Sequence, residues 1–398
     1  MGSVFVTDGR SRAALAIVRS LGKKGIKVIA GESMAVCSTF FSKYVQERVV
    51  YPDPDRYPEQ FADFMHDFVK NNDLDMIIPV RDSTTLTLSK FKQRFSPYVK
   101  IPLADYETLT IGRDKAKTIR LAEELNIPHP KTTYTEHPDF ERIKEDFSFP
   151  VVVKPRESSG SRGIIYVQSP EELEDAYLKS RSLFGNLMVQ EFIPYGGAYG
   201  TSLLLNQGEV RAFFSHKRIR EYPISGGPST LREGIRNPKL ERYAMDLLTS
   251  IKWHGVAMVE FRKDSRTDEY KLMEINPRFW GSLALPIFSG VDFPYLLYRM
   301  TIDGDVEPVC DYPVGMRSRW LIFGDILWLL GSSNKITAIP EFLKFRNENL
   351  CYDTLSVDDP FPALGAVLEG FISFTNKGRR EHAFNRGWTS KNRNEALK

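Results

Sequence analysis

The sequence predicts an α/β fold over its first hundred or so residues, followed by an α+β arrangement built on antiparallel hairpins. Three observations predict it. A strand pattern at residues 4–7, an Ala-rich helical pattern at 13–21 and a second strand at 27–30 make one βαβ unit, and the strand pattern returns at 75–80. Farther on, β-rich runs come in pairs around short polar turns, at 201–205 with 209–214 and within 256–280 around a turn at 263–268. Finally, 398 residues is long for one core, so two or three subdomains are expected.

Composition narrows the function. With 42% hydrophobic and 26% charged residues, the chain reads as an ordinary soluble globular protein. A formal net charge of +3 is too small and too dispersed to argue for nucleic acid, and it suits small acidic ligands as well. Cys37, Cys310 and Cys351 have no metal-ligand spacing, and an odd, sparse count suggests thiols kept reduced in a cytoplasm. The six histidines are scattered without an HExxH cluster, which argues against zinc. No signal peptide is expected, because the N-terminus enters a strand without a basic and then apolar leader. The longest apolar run, 320–330, is broken by Asp325 and falls short of the roughly 20 residues needed to span a bilayer. No stable membrane insertion is expected.

In chain order, the βαβ unit places residues 7–12 and 81–84 at the carboxyl rim of an open parallel sheet, where such sheets bind ligands. Only Gly9 stands where a dinucleotide fingerprint needs three glycines, which argues against a nicotinamide dehydrogenase. For Arg10, Arg12, Arg81 and Asp82, ordinary loop polarity and a substrate-binding role fit equally. Residues 85–95 read as the next helix, 106–114 as a connection and 115–125 as a helix ended by Pro128 and Pro130.

Strands at 149–154 and 163–168 enclose a turn carrying Ser158, Ser159, Gly160 and Ser161. Such a turn can aim several N–H groups into one concavity and bind phosphate oxygens; a hairpin with a flexible tip is the competing reading. It lacks the GxxxxGK[ST] spacing and joins two strands, so it is no Walker loop. Lys154, at the end of the preceding strand, can reach the same phosphates as a point charge. The run 187–193, which holds Gln190, Glu191, Phe192 and Ile193, ends in a polar break that exposes backbone groups as an adenine-binding hinge requires; a plain core strand is the alternative.

After the hairpin at 201–214 come His216, Lys217, Arg218 and Arg220, a Gly-Gly break at 224–228, and a segment holding Arg232. These cations could embrace an anionic substrate or a γ-phosphate, although for Arg218 and Arg220 a solvated charge run fits as well. Residues 238–252 and 293–300 read as helices, the second buried. Helical spacing at 320–330 suggests core or a contact between subunits, compatible with a homodimer; a membrane-surface helix is the third reading. Residues 377–398 are polar, basic and poor in apolar side chains, as a frayed tail would be.

The chemistry converges on residues 256–280. Alternation on a strand puts Glu274, Asn276 and Arg278 on one face and Met273, Ile275 and Pro277 on the other. With the turn centred near Thr267, Glu260 faces Glu274, and like charges opposite each other call for a cation between them. Two carboxylates and an amide oxygen are a hard ligand set that suits Mg²⁺, and Arg278 beside them can hold a phosphoryl group.

In this order, Lys115, VVVKP with its SSGSRG turn, QEFI, VEF and MEINPR resemble the ATP-grasp superfamily of ligases, in the branch with biotin carboxylase and the carbamoyl-phosphate synthetase large subunit. The resemblance runs to about residue 300 and rests on the set, since no single piece suffices. It implies a Rossmann-like domain at 1–108 ahead of an ATP-grasp domain at 109–305, with a lid at about 130–188 and a larger antiparallel subdomain at about 189–305, then a C-terminal region at 306–398. It also implies roles. Lys115 and Lys154 would meet the α- and β-phosphates, Ser158, Ser159, Gly160, Ser161 and Gly163 would close over the triphosphate, and Gln190, Glu191, Phe192 and Ile193 would form the adenine hinge. Glu260, Glu274 and Asn276 would hold Mg²⁺, for which Mn²⁺ can substitute, and Arg278 would stabilise the transferring phosphoryl group. One departure stands out: Tyr195, Gly196, Gly197 and Ala198 supply none of the carboxylates that family members often place there for the ribose.

The reaction implied is attack of a carboxylate on the γ-phosphate of ATP, giving an acyl phosphate that an amine displaces, with a small carboxylic acid and an amine as partners. Such chemistry asks for positioning and charge stabilisation and no protein nucleophile. Arg232, ahead of the hairpin, is a candidate for holding the acid. The alternatives are an ATP-dependent carboxylase or acid-thiol ligase of the same fold, and a non-catalytic ATP-binding regulator.

Overall fold

The computed structural model of the chain describes residues 2–134, 137–158, 160, 162–224 and 226–375. Val4, Phe5 and Val6 are apolar on both faces, which suits a strand covered on both sides. They form β1 (Ser3–Val6), central in a parallel sheet with β2 (Lys27–Glu32), β3 (Val45–Val50) and β4 (Met76–Ile78), in the order β3-β2-β1-β4. The first helix, Arg12–Lys23, starts at Ser11, whose hydroxyl accepts the Ala13 N–H at 3.2 Å, and buries Ala13, Ile17 and Leu21 in the core. Its edge strand β3 escapes sequence reading because Gln46, Glu47 and Arg48 interrupt the apolar pattern on an open edge. Residues 106–114, expected as a connection, form the helix Tyr106–Arg113.

A second, antiparallel sheet joins β5 (Thr132–Thr133), β6 (Val151–Pro155), β7 (Ile165–Val167) and β8 (Leu187–Glu191) in the order β5-β8-β6-β7. Val151, Val153, Val167, Leu173, Tyr177 and Leu187 give it a small core of its own, separate from the main one. Ser159 and Ser161 lie outside the described residues.

The third sheet contains β9 (Tyr195–Asn206), β10 (Glu209–Glu221), β11 (Ser229–Ile235), β12 (Gly255–Asp264), β13 (Tyr270–Asn276), β14 (Arg317–Arg319) and β15 (Leu350–Tyr352). Its order is β13-β12-β9-β10-β11-β14-β15, antiparallel except for the last pair. The hairpin turn at Gln207 and Gly208 takes positive φ values of 52° and 92°. Both its strands are longer than the sequence suggests, so His216, Arg218 and Arg220 belong to β10 and not to a basic stretch ahead of a break.

The segment at 320–330 also differs from expectation. Ile322 and Phe323 leave helical geometry, and a regular helix begins only at Ile326–Gly331. Its deepest side chain is an acid: Asp325 accepts from Arg220 at 2.7 Å, Arg319 at 2.6 Å and Thr230 at 3.0 Å, while Leu330 stays 63% exposed. Residues 377–398, expected as a frayed tail, lie outside the described residues.

Candidate active site

The hairpin of β12 and β13 sets the register of the site. Around its turn Lys263 faces Tyr270 and Phe261 faces Leu272, a register that would put Glu260 opposite Met273. A bulge between Glu260 and Phe261 shifts the pairing by one, so Glu260 faces Glu274 and Met258 faces Asn276. The opposed carboxylates therefore depend on an extra residue, Met273, as well as on the turn. Asn276 sits between them: its amide nitrogen donates to Glu260 at 3.2 Å and to Glu274 at 3.5 Å, and its oxygen accepts from Arg278 at 3.1 Å.

Lysines from two other elements close on this pair. Asp114 caps the helix Lys115–Glu124 through the Ala116 N–H at 2.9 Å, which places Lys115 in the first turn. The Lys115 ammonium lies 3.3 Å from Glu274 and donates to the Ser158 carbonyl at 2.8 Å, where Arg113 donates too, at 3.1 Å. The turn after β6 thus rests on the lysine expected to meet phosphate. Gly160 and Gly163 follow at positive φ, and a side chain at Gly163 would come within 2.7 Å of Pro155. Lys154 is buried at the end of β6 and donates to Gln190 Oε1 at 2.7 Å, while the Gln190 amide nitrogen donates to Thr132 at 2.8 Å.

At the end of β8 the side chains turn away from any hinge role of their own. Glu191 pairs with Arg266 at 2.7 Å and accepts the Lys131 N–H at 3.2 Å, while Phe192 meets Tyr166 edge-on and Ile193 is buried. Any recognition by this segment falls to its main chain. Close by, the Tyr195 hydroxyl donates to Glu221 at 3.3 Å, a carboxylate brought to the segment from the far end of β10. Sequence distance hides it.

Two arginines, Arg218 and Arg278, act on the carboxylates. Arg278 pairs with Asp82 of the N-terminal rim at 3.0 Å, and Arg113 stands 3.9 Å from the same carboxylate. Arg218 pairs closely with Glu260, so the reading of it as a solvated charge is corrected. Arg232 also differs from expectation. It lies opposite Arg218 in the ladder, but its side chain is 0% exposed and held by Asp353 and by Ser318 Oγ at 2.9 Å. Asp353 also pairs with Arg12 at 2.5 Å, and the Arg12 guanidinium lies 3.9 Å from the Trp320 ring. The structure therefore makes Arg232 a buried tie between the main sheet and the first helix through Asp353 and Arg12, with no face open to a substrate.

Charge balance differs across the pair. Burial pushes the Glu274 carboxyl up, but the Lys115 and Lys154 ammonium groups outweigh it and hold the carboxyl below its ordinary range. Burial raises Glu260, and Glu274 adds to the rise against the pull of Arg218. Desolvation, helped by the charge on Lys115, lowers Lys154 to about 7. Burial takes His216, on the same sheet, down to about 3, so its imidazole is neutral.

The donor set fits a hard cation that takes further ligands from phosphate. Among the described residues no three His, Cys, Asp or Glu side chains gather into a cage. What is present is two opposed carboxylates and an amide, already balanced by cationic side chains, and such a set suits Mg²⁺ with phosphate oxygens completing its shell.

Comparison with known proteins gives consistent likenesses. Residues 101–222 match a family model described as D-ala D-ala ligase C-terminus, and residues 184–321 match one described as ATP-grasp in the biosynthetic pathway with Ter operon. The chain is 27% identical over 285 residues to a D-aspartate ligase of Enterococcus faecium, covering 64% of this chain and 66% of that protein, just under two thirds of its length. It is 31% identical over 221 residues to a D-alanine--D-alanine ligase of Carboxydothermus hydrogenoformans, covering 49% of this chain and 70% of the relative. In fold it is similar to the biotin carboxylase domain dimer of Hydrogenobacter thermophilus 2-oxoglutarate carboxylase, solved with MgADP, ADP and bicarbonate: the TM-score is 0.66 at 16% identity, over 79% of this chain and 73% of that one.

Proposed function

The chain belongs to the ATP-grasp superfamily of ligases, and from that premise we propose that it joins a small carboxylic acid to an amine, with release of ADP and phosphate. The observation that carries the reading is the opposed Glu260 and Glu274 with Lys115 3.3 Å from one and Arg218 against the other. Likeness to ligases that by name act on D-aspartate and D-alanine supports the reaction class. Residues 1–108 then form the Rossmann-like domain, about 130–188 the lid and about 189–305 the ATP-binding subdomain. Unpaired cysteines suit a reducing cytoplasm.

In this mechanism Lys115 and Lys154 hold phosphate oxygens and Arg278 faces the group in transfer. Mg²⁺, held by Glu260, Glu274 and the Asn276 amide oxygen, would supply neutralisation of phosphate charge. Asn276 would turn its amide to do so, since its nitrogen now faces both carboxylates. Arg218, with Arg278, takes the acid, because a guanidinium fork matches a carboxylate. A carboxylate oxygen attacks the γ-phosphorus as the bond to ADP breaks; the amine nitrogen then attacks the acyl carbon, and phosphate leaves with that oxygen. Glu221 is the proposed acceptor for the ribose hydroxyls.

The test is ADP formation from Mg·ATP with pooled acids and amines, with hydroxylamine added to capture an acyl phosphate as a hydroxamate. ADP release that depends on an acid, with hydroxamate formed, supports the reading. Turnover that needs bicarbonate or a thiol instead of an amine would replace it.

A further inference from the structure

The proposed mechanism asks Arg278 to face the group in transfer, and the structure shows what keeps its guanidinium from swinging. Each of its nitrogens has a neighbour: Nη1 donates to the Phe279 carbonyl at 2.9 Å, Nη2 to Asn276 Oδ1 at 3.1 Å, and Nε stands 3.0 Å from Asp82 Oδ1. Phe279 and Asn276 are within two residues of Arg278 along the chain and move with it. Of the three partners, Asp82 is the one that comes from another sheet and the one that carries a charge. When Asn276 turns its amide oxygen toward a metal, as the mechanism has it, Nη2 is released. Nε and Nη1 then hold the plane of the guanidinium while Nη2 reaches outward.

Asp82 is itself firmly placed. It opens the helix Asp82–Lys90 just after β4, and the turn ahead of it is tied to a buried acid beyond the end of β1. There Asp8 accepts the Val80 N–H at 3.2 Å, the Arg81 N–H at 2.9 Å and the Thr84 hydroxyl at 2.6 Å. The Asp82 side chain is 15% exposed, and Arg113 lies 3.9 Å from its second oxygen. Burial pushes the Asp82 carboxyl up, but Arg278, Arg113 and Lys115 outweigh it and hold the carboxyl below its ordinary range. A carboxylate already shared by two guanidinium groups has little charge left for a substrate ammonium. Its place in the site is therefore a hold on Arg278 and not a contact with substrate.

We propose that Asp82 is a positioning residue, which fixes Arg278 through Nε so that Nη2 meets the γ-phosphoryl group. The inference rests on the reading of Arg278 under the proposed function, and it gives the rim of the first sheet a part in phosphoryl transfer without substrate contact. The experiment is calorimetric titration of the full chain, with Mg²⁺, by ADP and by the β,γ-imido analogue of ATP. The ratio of the two affinities reads the γ-phosphate contact. Arg278→Ala should lower that ratio about tenfold and Asp82→Asn about fivefold, with ADP affinity unchanged in both. Asp82→Asn/Arg278→Ala should fall within about twofold of Arg278→Ala alone, because a positioning residue has nothing to hold once its arginine is gone. A ratio lowered in Arg278→Ala but normal in Asp82→Asn overturns the proposal and leaves the role of Arg278 standing, whether or not the melting temperature of Asp82→Asn drops. Losses that multiply in the double variant do the same. A normal ratio in Arg278→Ala refutes the role of Arg278 and the positioning with it. Should Asp82→Asn not fold, Asp82→Glu keeps the charge but shifts it by one methylene; a loss of about threefold is expected, and a normal ratio there overturns the proposal.

Discussion

Glu274 joins the stability of the site to its chemistry. Burial raises its carboxyl and the two lysines more than offset this, so the ionised form stabilises the fold. Because the folded pKa is depressed, that contribution is present above the unfolded pKa and is lost as pH falls through the folded one. Glu274→Gln should therefore lower the melting temperature slightly, despite removing repulsion from Glu260, and cut ADP release at least about 100-fold. Lys154 gives a second, pH-based test. Its folded pKa of about 7 lies below the ordinary 10.5, so between those values only the unfolded chain holds the proton, and stability contributed by this group rises with pH across that window. Triphosphate asks for the charged form, so ATP binding should take up a proton and weaken as pH rises above 7; calorimetry in buffers of different ionisation enthalpy measures both, and Lys154→Arg should abolish the effect. The two arginines that face each other across β10 and β11 should separate cleanly. Arg218→Ala should lower kcat/KM for the acid about 100-fold and change ATP affinity little, while Arg232→Ala, which strips a partner from buried Asp353, should cost about 3 kcal/mol of stability in a denaturant titration. Equal stability losses in the two would refute the division of roles.

At the scale of elements, the turn after β6 lies on Lys115 through the Ser158 carbonyl. In the proposed mechanism a triphosphate that took Lys115 would displace this contact and let the turn close over it. Proteolysis at 158–162 should slow several-fold with Mg·ATP, and equal cutting with and without nucleotide would count against lid closure. How far these elements are legible in sequence follows from their surroundings. The central strands and the hairpin of β12 and β13 carry local patterns strong enough to read, and even the Glu260–Glu274 register comes out right. It does so for an incomplete reason, because the bulge at Met273 that sets it has no local signature. The edge strand β3 is hidden by its solvent-facing charges. Arg218 and Arg232 look alike in sequence, since what distinguishes them is which carboxylate the sheet brings to each: Glu260 on β12, or Asp353 just beyond β15.

Over the whole molecule, the third sheet runs from the carboxylate pair to the C-terminal strands, and its far end is tied to the first helix through Asp353, Arg12 and Arg232. Asp82 makes the corresponding link at the near end through Arg278. The lysines proposed to meet phosphate, the carboxylate pair and the guanidinium groups are thus held by elements far apart in sequence, which is why the sequence could bring out the candidate cations while only the fold could separate those beside the carboxylates from those that tie sheets together. The central claim is that a substrate carboxylate attacks the γ-phosphate of ATP at this junction. The most direct measurement uses the acid that supports ADP release, labelled with ¹⁸O in both carboxylate oxygens, and reads the inorganic phosphate by mass spectrometry after single turnover with the amine. Transfer through an acyl phosphate predicts one ¹⁸O in each phosphate formed; ligation that yields unlabelled phosphate would contradict it.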